Sequence, residues 1–123
     1  VPMRIEKSFK ILASDTDPRG LEVFGLEGKV GGTCVDVWVD RSEHIIRYLE
    51  IKTLSGNSVL APFNLTVIKK NAIFINSIMS SQFEDVPGLK NANTISLLEE
   101  EKIMGYYGAG TLMAFPRRRE SFF

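Results

Sequence analysis

Asp36, Asp40, Glu43, His44 and Arg47 lie together in the twelve-residue stretch DVWVDRSEHIIR. The same stretch holds the only tryptophan, Trp38, and His44 is the only histidine. Carboxylates exchange protons at neutral pH when burial and neighbouring charge lift their pKa. An imidazole titrates near neutrality without help. A guanidinium stays charged and fixes a carboxylate beside it. Trp38 could stack a ligand or pack beneath Arg47 in a cation–π contact. On composition and spacing alone the plainer reading is a solvated face. It would carry one exposed ion pair to Arg47, worth about 0–1 kcal/mol, with His44 a solvated turn residue and Trp38 a packing residue.

Two strands must carry these groups. Residues 33–40 alternate, with Val35, Val37 and Val39 on one face and Cys34, Asp36, Trp38 and Asp40 on the other. Residues 45–53 alternate as well. A register with Asp40 opposite Ile45 sets Val39 against Ile46, Val37 against Tyr48 and Val35 against Glu50. It also sets Trp38 across from Arg47 and Asp40 one diagonal step from Arg47. A slip of one residue would invert every face.

The flanking chain predicts a small all-β domain. ASDTDPRG (13–20) is turn chemistry, and residues 1–27 read as an extended arm. LEGKVGG opens the first strand with a tight turn or bulge. LSGNS (54–58) turns into a strand over 59–65, where Pro62 implies an edge or a bulge. Residues 66–70 and 72–77 form a hairpin around Lys70-Asn71. Residues 80–89 hold one helical turn ended by Pro87-Gly88, and residues 94–98 a last short strand. Such spacing predicts an antiparallel barrel or sandwich over residues 28–98. Glu99-Glu100-Glu101 then opens a helix, since acids suit the positive end of its dipole. Gly105, Gly108 and Gly110 weaken that helix by about 1 kcal/mol each against alanine, so it needs packing to persist. Residues 99–123 are helix and tail, and the tail PRRRESFF offers three arginines to an anionic membrane surface.

Other chemistries fit poorly. GKVGG runs into a strand, whereas a phosphate-binding turn needs a helix N-terminus. No nucleophile has a triad around the single histidine, so a small hydrolase is disfavoured. The one cysteine, Cys34, excludes an internal disulfide and argues for a reducing compartment. No Cys/His cluster suggests zinc.

At 123 residues and 44% apolar content the chain suits one packed domain. Fifteen bases balance fifteen acids, which argues against a nucleic-acid partner. The uncharged run over residues 103–116 is shorter than the roughly 20 residues a spanning helix requires. No secretory leader is recognisable, and the opening Val1-Pro2 leads us to expect a processed or excised chain.

GKVGGTCVDVWVDRSEHIIRYLEI resembles the opening of a PRC-barrel domain. DPRGLEVFG, DVWVDRSEHIIRYLE, INSIMSSQF and VPGLKNANTISLLEEEKIMGYYGAGTLMAFP together are similar to a narrower family. That family is the cytoplasmic domain of the H subunit of purple-bacterial photosynthetic reaction centres. LLEEEKIMGYYGAG is the most distinctive part, because a generic PRC barrel does not carry it. The resemblance implies a mainly β, PRC-type barrel with a C-terminal helix. It implies an accessory subunit, not an enzyme, anchored by an N-terminal transmembrane helix on the cytoplasmic side of the photosynthetic inner membrane. That anchor is not in this sequence. The expected partners are the L and M subunits and the membrane surface, with no substrate of its own. The bacteriochlorophyll, bacteriopheophytin, quinones and non-haem iron of such complexes sit on those partners.

Carried over by motif, the family's polar region beneath the secondary quinone falls on Asp40, Glu43 and Arg47. Asp36 and His44 follow less directly. Trp38, Gly105, Tyr106, Tyr107, Gly108 and Gly110 become candidate partner contacts. A quinone that takes two electrons must also take two protons, and its pocket is shielded, so ionisable groups and water must carry them. The alternative is a free-standing PRC-barrel binding module, such as those of RNA-processing proteins. Neutral charge and the C-terminal segment weigh against it.

Overall fold

The computed structural model describes residues 1–2, 17–40, 42–43, 45–69 and 71–114, with side-chain surroundings as far as Gly108. Six strands form one sheet: β1 (Glu22–Phe24), β2 (Val30–Asp40), β3 (Ile45–Thr53), β4 (Ser58–Pro62), β5 (Thr66–Lys69) and β6 (Ala72–Ile75). Their order is β4-β3-β2-β1-β6-β5. A 3-10 turn, Phe63–Leu65, links the two outermost strands, so the sheet curls until its ends meet at that corner. A second 3-10 stretch, Ser80–Asp85, precedes the single helix α1 (Leu97–Ala114). The fold is the expected mainly β one with a C-terminal helix. Its pairings are antiparallel except β1 with β6, which is parallel.

Four local expectations are corrected. Glu22–Phe24, placed in the arm, is an interior strand between β2 and β6. The run over 59–65 ends as a strand at Pro62, which lies on the edge strand β4, and then tightens into the 3-10 turn. The last strand of the hairpin stops at Ile75. Residues 94–96 have no regular structure, and the helix begins at Leu97. The reason is a reciprocal cap. Glu99 N donates to Ser96 Oγ at 3.1 Å, and Ser96 N donates to Glu99 Oε1 at 2.8 Å. Glu99 Oε2 also accepts Lys90 N at 2.6 Å, tying the preceding loop to the helix end. These backbone donors hold the Glu99 carboxyl below its ordinary range.

The core gathers Val23, Cys34, Val37, Leu49, Ile51, Ile73 and Ile75 of the sheet with Phe83, Ile103 and Tyr107. Gly31 and Gly32 permit this closeness. A Cβ on Gly32 would stand 2.5 Å from the Lys52 carbonyl oxygen, and one on Gly31 would strike the Phe83 ring. The middle of the β2–β3 hairpin is covered on both faces, since neighbours Val37 and Trp38 are both buried. Pro2 bridges to Trp38 from one side. Residues 87–89 and Ala92 line a small cavity against Trp38 and Glu50. The helix is fastened by two phenols. Tyr107 OH donates to the Leu60 carbonyl at 2.9 Å and Tyr106 OH to the Gln82 carbonyl at 2.7 Å.

Candidate functional site

The hairpin tip follows the expected register for two pairs, Asp40 with Ile45 and Val39 with Ile46. There the register shifts. Trp38 stands opposite Tyr48, not Arg47, and Arg47 is left as the extra residue of a bulge on β3. A second shift leaves Val35 unpaired on β2 and restores the count. A bulge re-aims the side chain it carries. Here Arg47 reaches across the seam between hairpin and helix. Its Nη1 lies 3.5 Å from Asp40 Oδ2, and its Nη2 lies 3.5 Å from Glu100 Oε1. Tyr48 OH donates to the same Glu100 oxygen at 2.8 Å.

Asp40 is pinned from its other oxygen. Oδ1 accepts from Ser42 Oγ at 2.7 Å, Ser42 N at 2.9 Å and Glu43 N at 3.2 Å. The Ser42 hydroxyl, the two backbone donors and Arg47 hold the Asp40 carboxyl below the usual carboxylate range. Asp40 is therefore charged at neutral pH. Burial, reinforced by the Glu100 carboxylate, pushes the Tyr48 phenol up, so it remains a donor. The groups line an open cleft of about 630 Å³ with Trp38 and Ile95. Side-chain exposures of 46%, 26% and 29% for Arg47, Asp40 and Glu100 mean these ion pairs are bathed in water. Pairs of that kind add about 0–1 kcal/mol to stability, so the arrangement is better understood as a charged wet surface than as a staple.

The remaining expected residues divide. Glu43 is exposed at the tip, and its carboxylate makes no hydrogen bond or ion pair among the described residues. His44 lies outside the described residues. Asp36 is not at the tip. It is 4% exposed, stands opposite Glu50 and accepts Val37 N at 2.8 Å. Trp38 and Tyr107, expected at a partner surface, are 1% and 0% exposed and have no face to offer. Trp38 instead donates Nε1–H to Glu50 Oε1 at 2.9 Å. Tyr106 is half-buried and serves the helix anchor. A Cβ at Gly105 or Gly108 would meet nothing within 4 Å, while the surroundings of Gly110 lie outside the described residues. Cys34 is fully buried, which pushes its thiol up to about 12 and keeps it neutral. Among the described residues no group of His, Cys, Asp and Glu is arranged to hold a metal ion, and no helix is long and apolar enough to cross a membrane.

Sequence reasoning missed Glu100 and Tyr48 as members of the cluster. One signal was available for Glu100. It precedes the buried Ile103 and Tyr107 by three and seven residues, so helical spacing puts all three on the inward face.

The curled sheet, with its distinctive polar groups at one hairpin tip, makes a small mainly β domain. A family model described as the PRC-barrel domain matches residues 11–82. The chain belongs to the PRC-barrel family. The matched stretch supplies Asp40, Arg47 and Tyr48, and the helix that follows it adds Glu100.

Proposed function

We propose that this chain is the cytoplasmic barrel of a reaction centre H subunit. It caps the pigment-bearing L and M subunits at the cytoplasmic face of the photosynthetic membrane. It also helps protons to reach the secondary quinone. One observation carries this reading. Arg47 joins a carboxylate of the PRC hairpin, Asp40, to a carboxylate of the C-terminal helix, Glu100, at the rim of an open cleft. The helix bears the sequence that resembles the H family most closely, and it is also the element that completes the charged corner.

The chemistry follows from the groups. Reduction of a quinone to quinol consumes two electrons and two protons, and the protons must cross protein to reach a shielded pocket. Arg47 and the ionised Asp40 hold water in the cleft. Glu43, exposed at the hairpin tip, is the acid that exchanges protons with bulk solvent in this reading. Asp40 is held low while the corner is wet. Covering it with a partner removes water and drives its proton affinity upward. Docking would thus tune the corner towards proton exchange. The charges would also bias quinone reduction, weakly through water and more strongly once covered.

The test is reassembly. L/M cores stripped of their own H subunit are mixed with the 123-residue chain and separated by size. The expected result is stoichiometric binding with a faster second electron transfer to quinone. A chain that stays free of the core and instead sediments with ribosomal particles would overturn the reading in favour of the free-standing module.

A further inference from the structure

Trp38 stands between two spaces. On one side is the charged cleft of about 630 Å³, and on the other an inner cavity of about 150 Å³. Trp38, Glu50 and Leu60 form the barrel wall of that cavity, and Pro87, Leu89 and Ala92 form its cover. The same stretch of chain reaches the cleft, where Thr94 and Ile95 line the wall with Trp38. Residues 87–96 thus run past the indole from one space to the other. Little burial holds them down. They include no helix or strand, seven of the ten are exposed, and none is fully buried. Leu89 and Ile95 pack against the core only in part. A segment with so few buried apolar contacts opens locally at low free energy while the core stays closed.

One carboxylate cinches the segment. Glu99 Oε2 accepts Lys90 N at 2.6 Å and Glu99 Oε1 accepts Ser96 N at 2.8 Å, so a single side chain grips both ends of residues 90–96. The middle forms a turn of its own, with Asn93 N donating to Asn91 Oδ1 at 2.9 Å. Glu99 belongs to α1, which Tyr106 and Tyr107 fasten to the rest of the domain further along. The grip therefore sits on a fixed post and the gripped segment does not. We propose that residues 87–96 are a strap over Trp38 and that Glu99 is its latch. Release of the latch opens the inner cavity to the cleft and to solvent while the barrel stays folded, and small neutral molecules then reach the indole. The strap is a property of this chain alone and stands apart from the cap reading.

The single tryptophan makes the strap measurable. Trp38 donates its indole N–H to Glu50 beneath the strap, so exchange of that hydrogen with solvent reports opening. Quenching of Trp38 fluorescence by acrylamide, a small neutral probe, reports access. Both are measured on the 123-residue chain at neutral pH. Glu99→Ala is expected to quicken indole exchange about fivefold, the shift that loss of a helix cap typically gives, and to raise acrylamide quenching with it. Backbone amides of β2 and β3 should exchange at the wild-type rate. Glu99→Gln keeps an acceptor but loses the charge, so an intermediate rise is expected and a poorly folding alanine variant does not end the test. Glu27→Gln alters a carboxylate that grips Ser80 instead and should leave Trp38 unchanged. Equal exchange and quenching in wild type and both Glu99 variants would overturn the proposal. So would a rise that occurs only in step with the β2 and β3 amides, because that is unfolding of the barrel. Neither result bears on whether the chain binds L/M cores, which reassembly alone decides.

Discussion

Tyr107→Ala is expected to lower the unfolding free energy of the chain by about 3–5 kcal/mol, a large part of a small domain's total. The ring is fully buried, and its hydroxyl satisfies the Leu60 carbonyl of edge strand β4. Removing it leaves a cavity and an unpaired acceptor. The helix cannot absorb the loss, because glycines at 105, 108 and 110 deprive it of intrinsic stability. Tyr107→Phe keeps the ring and should cost only about 1–2 kcal/mol. Urea titration of the three proteins checks this. The consequence reaches the charged corner, since a loosened helix carries Glu100 away from Arg47 and Tyr48. Equal midpoints for wild type and Tyr107→Ala would show that the helix is not anchored this way.

Glu43→Gln is expected to slow the second, proton-coupled electron transfer to quinone about tenfold in the assembled complex across neutral pH. The substitution keeps shape and hydrogen bonding but removes the acid. Asp40 is not its equivalent, because Ser42, the Glu43 backbone and Arg47 favour its ionised form even where docking raises its proton affinity. Glu43 is exposed at the hairpin tip, open to solvent. A single positioned acid–base group contributes about 10²–10⁴. The expected effect is smaller, about tenfold, because water can bypass one member of a relay. Flash kinetics with unchanged second-transfer rates would exclude Glu43 from the path, and the domain itself would remain equally stable.

The long hairpin was legible because alternation over nine residues of β3 leaves little freedom. Its last two pairs were read correctly, and so was the nearness of Asp40 to Arg47. The opposed bulges at Arg47 and Val35 were not, because they cancel in residue count and no glycine or proline marks either. Glu22–Phe24 was missed because three residues cannot display a period. At residues 94–98 the β-branched Thr94 and Ile95 suggested a strand, while the Ser96-x-x-Glu99 cap argued for a helix start and prevailed. Composition and spacing make Trp38 a packing residue, and only the family resemblance makes it a contact candidate. A strand covered on both faces buries it instead, which alternation alone does not reveal. Tyr48 and Glu100 are 52 positions apart, and only the packing of helix against hairpin brings them together.

The most direct test follows proton uptake from solution after two flashes, using a pH-indicating dye. It compares complexes carrying the wild-type chain with complexes carrying Asp40→Asn and Glu43→Gln together. The account predicts that uptake and second electron transfer slow together and by the same factor. Uptake at the wild-type rate, in complexes that still hold the doubly substituted chain, would contradict it.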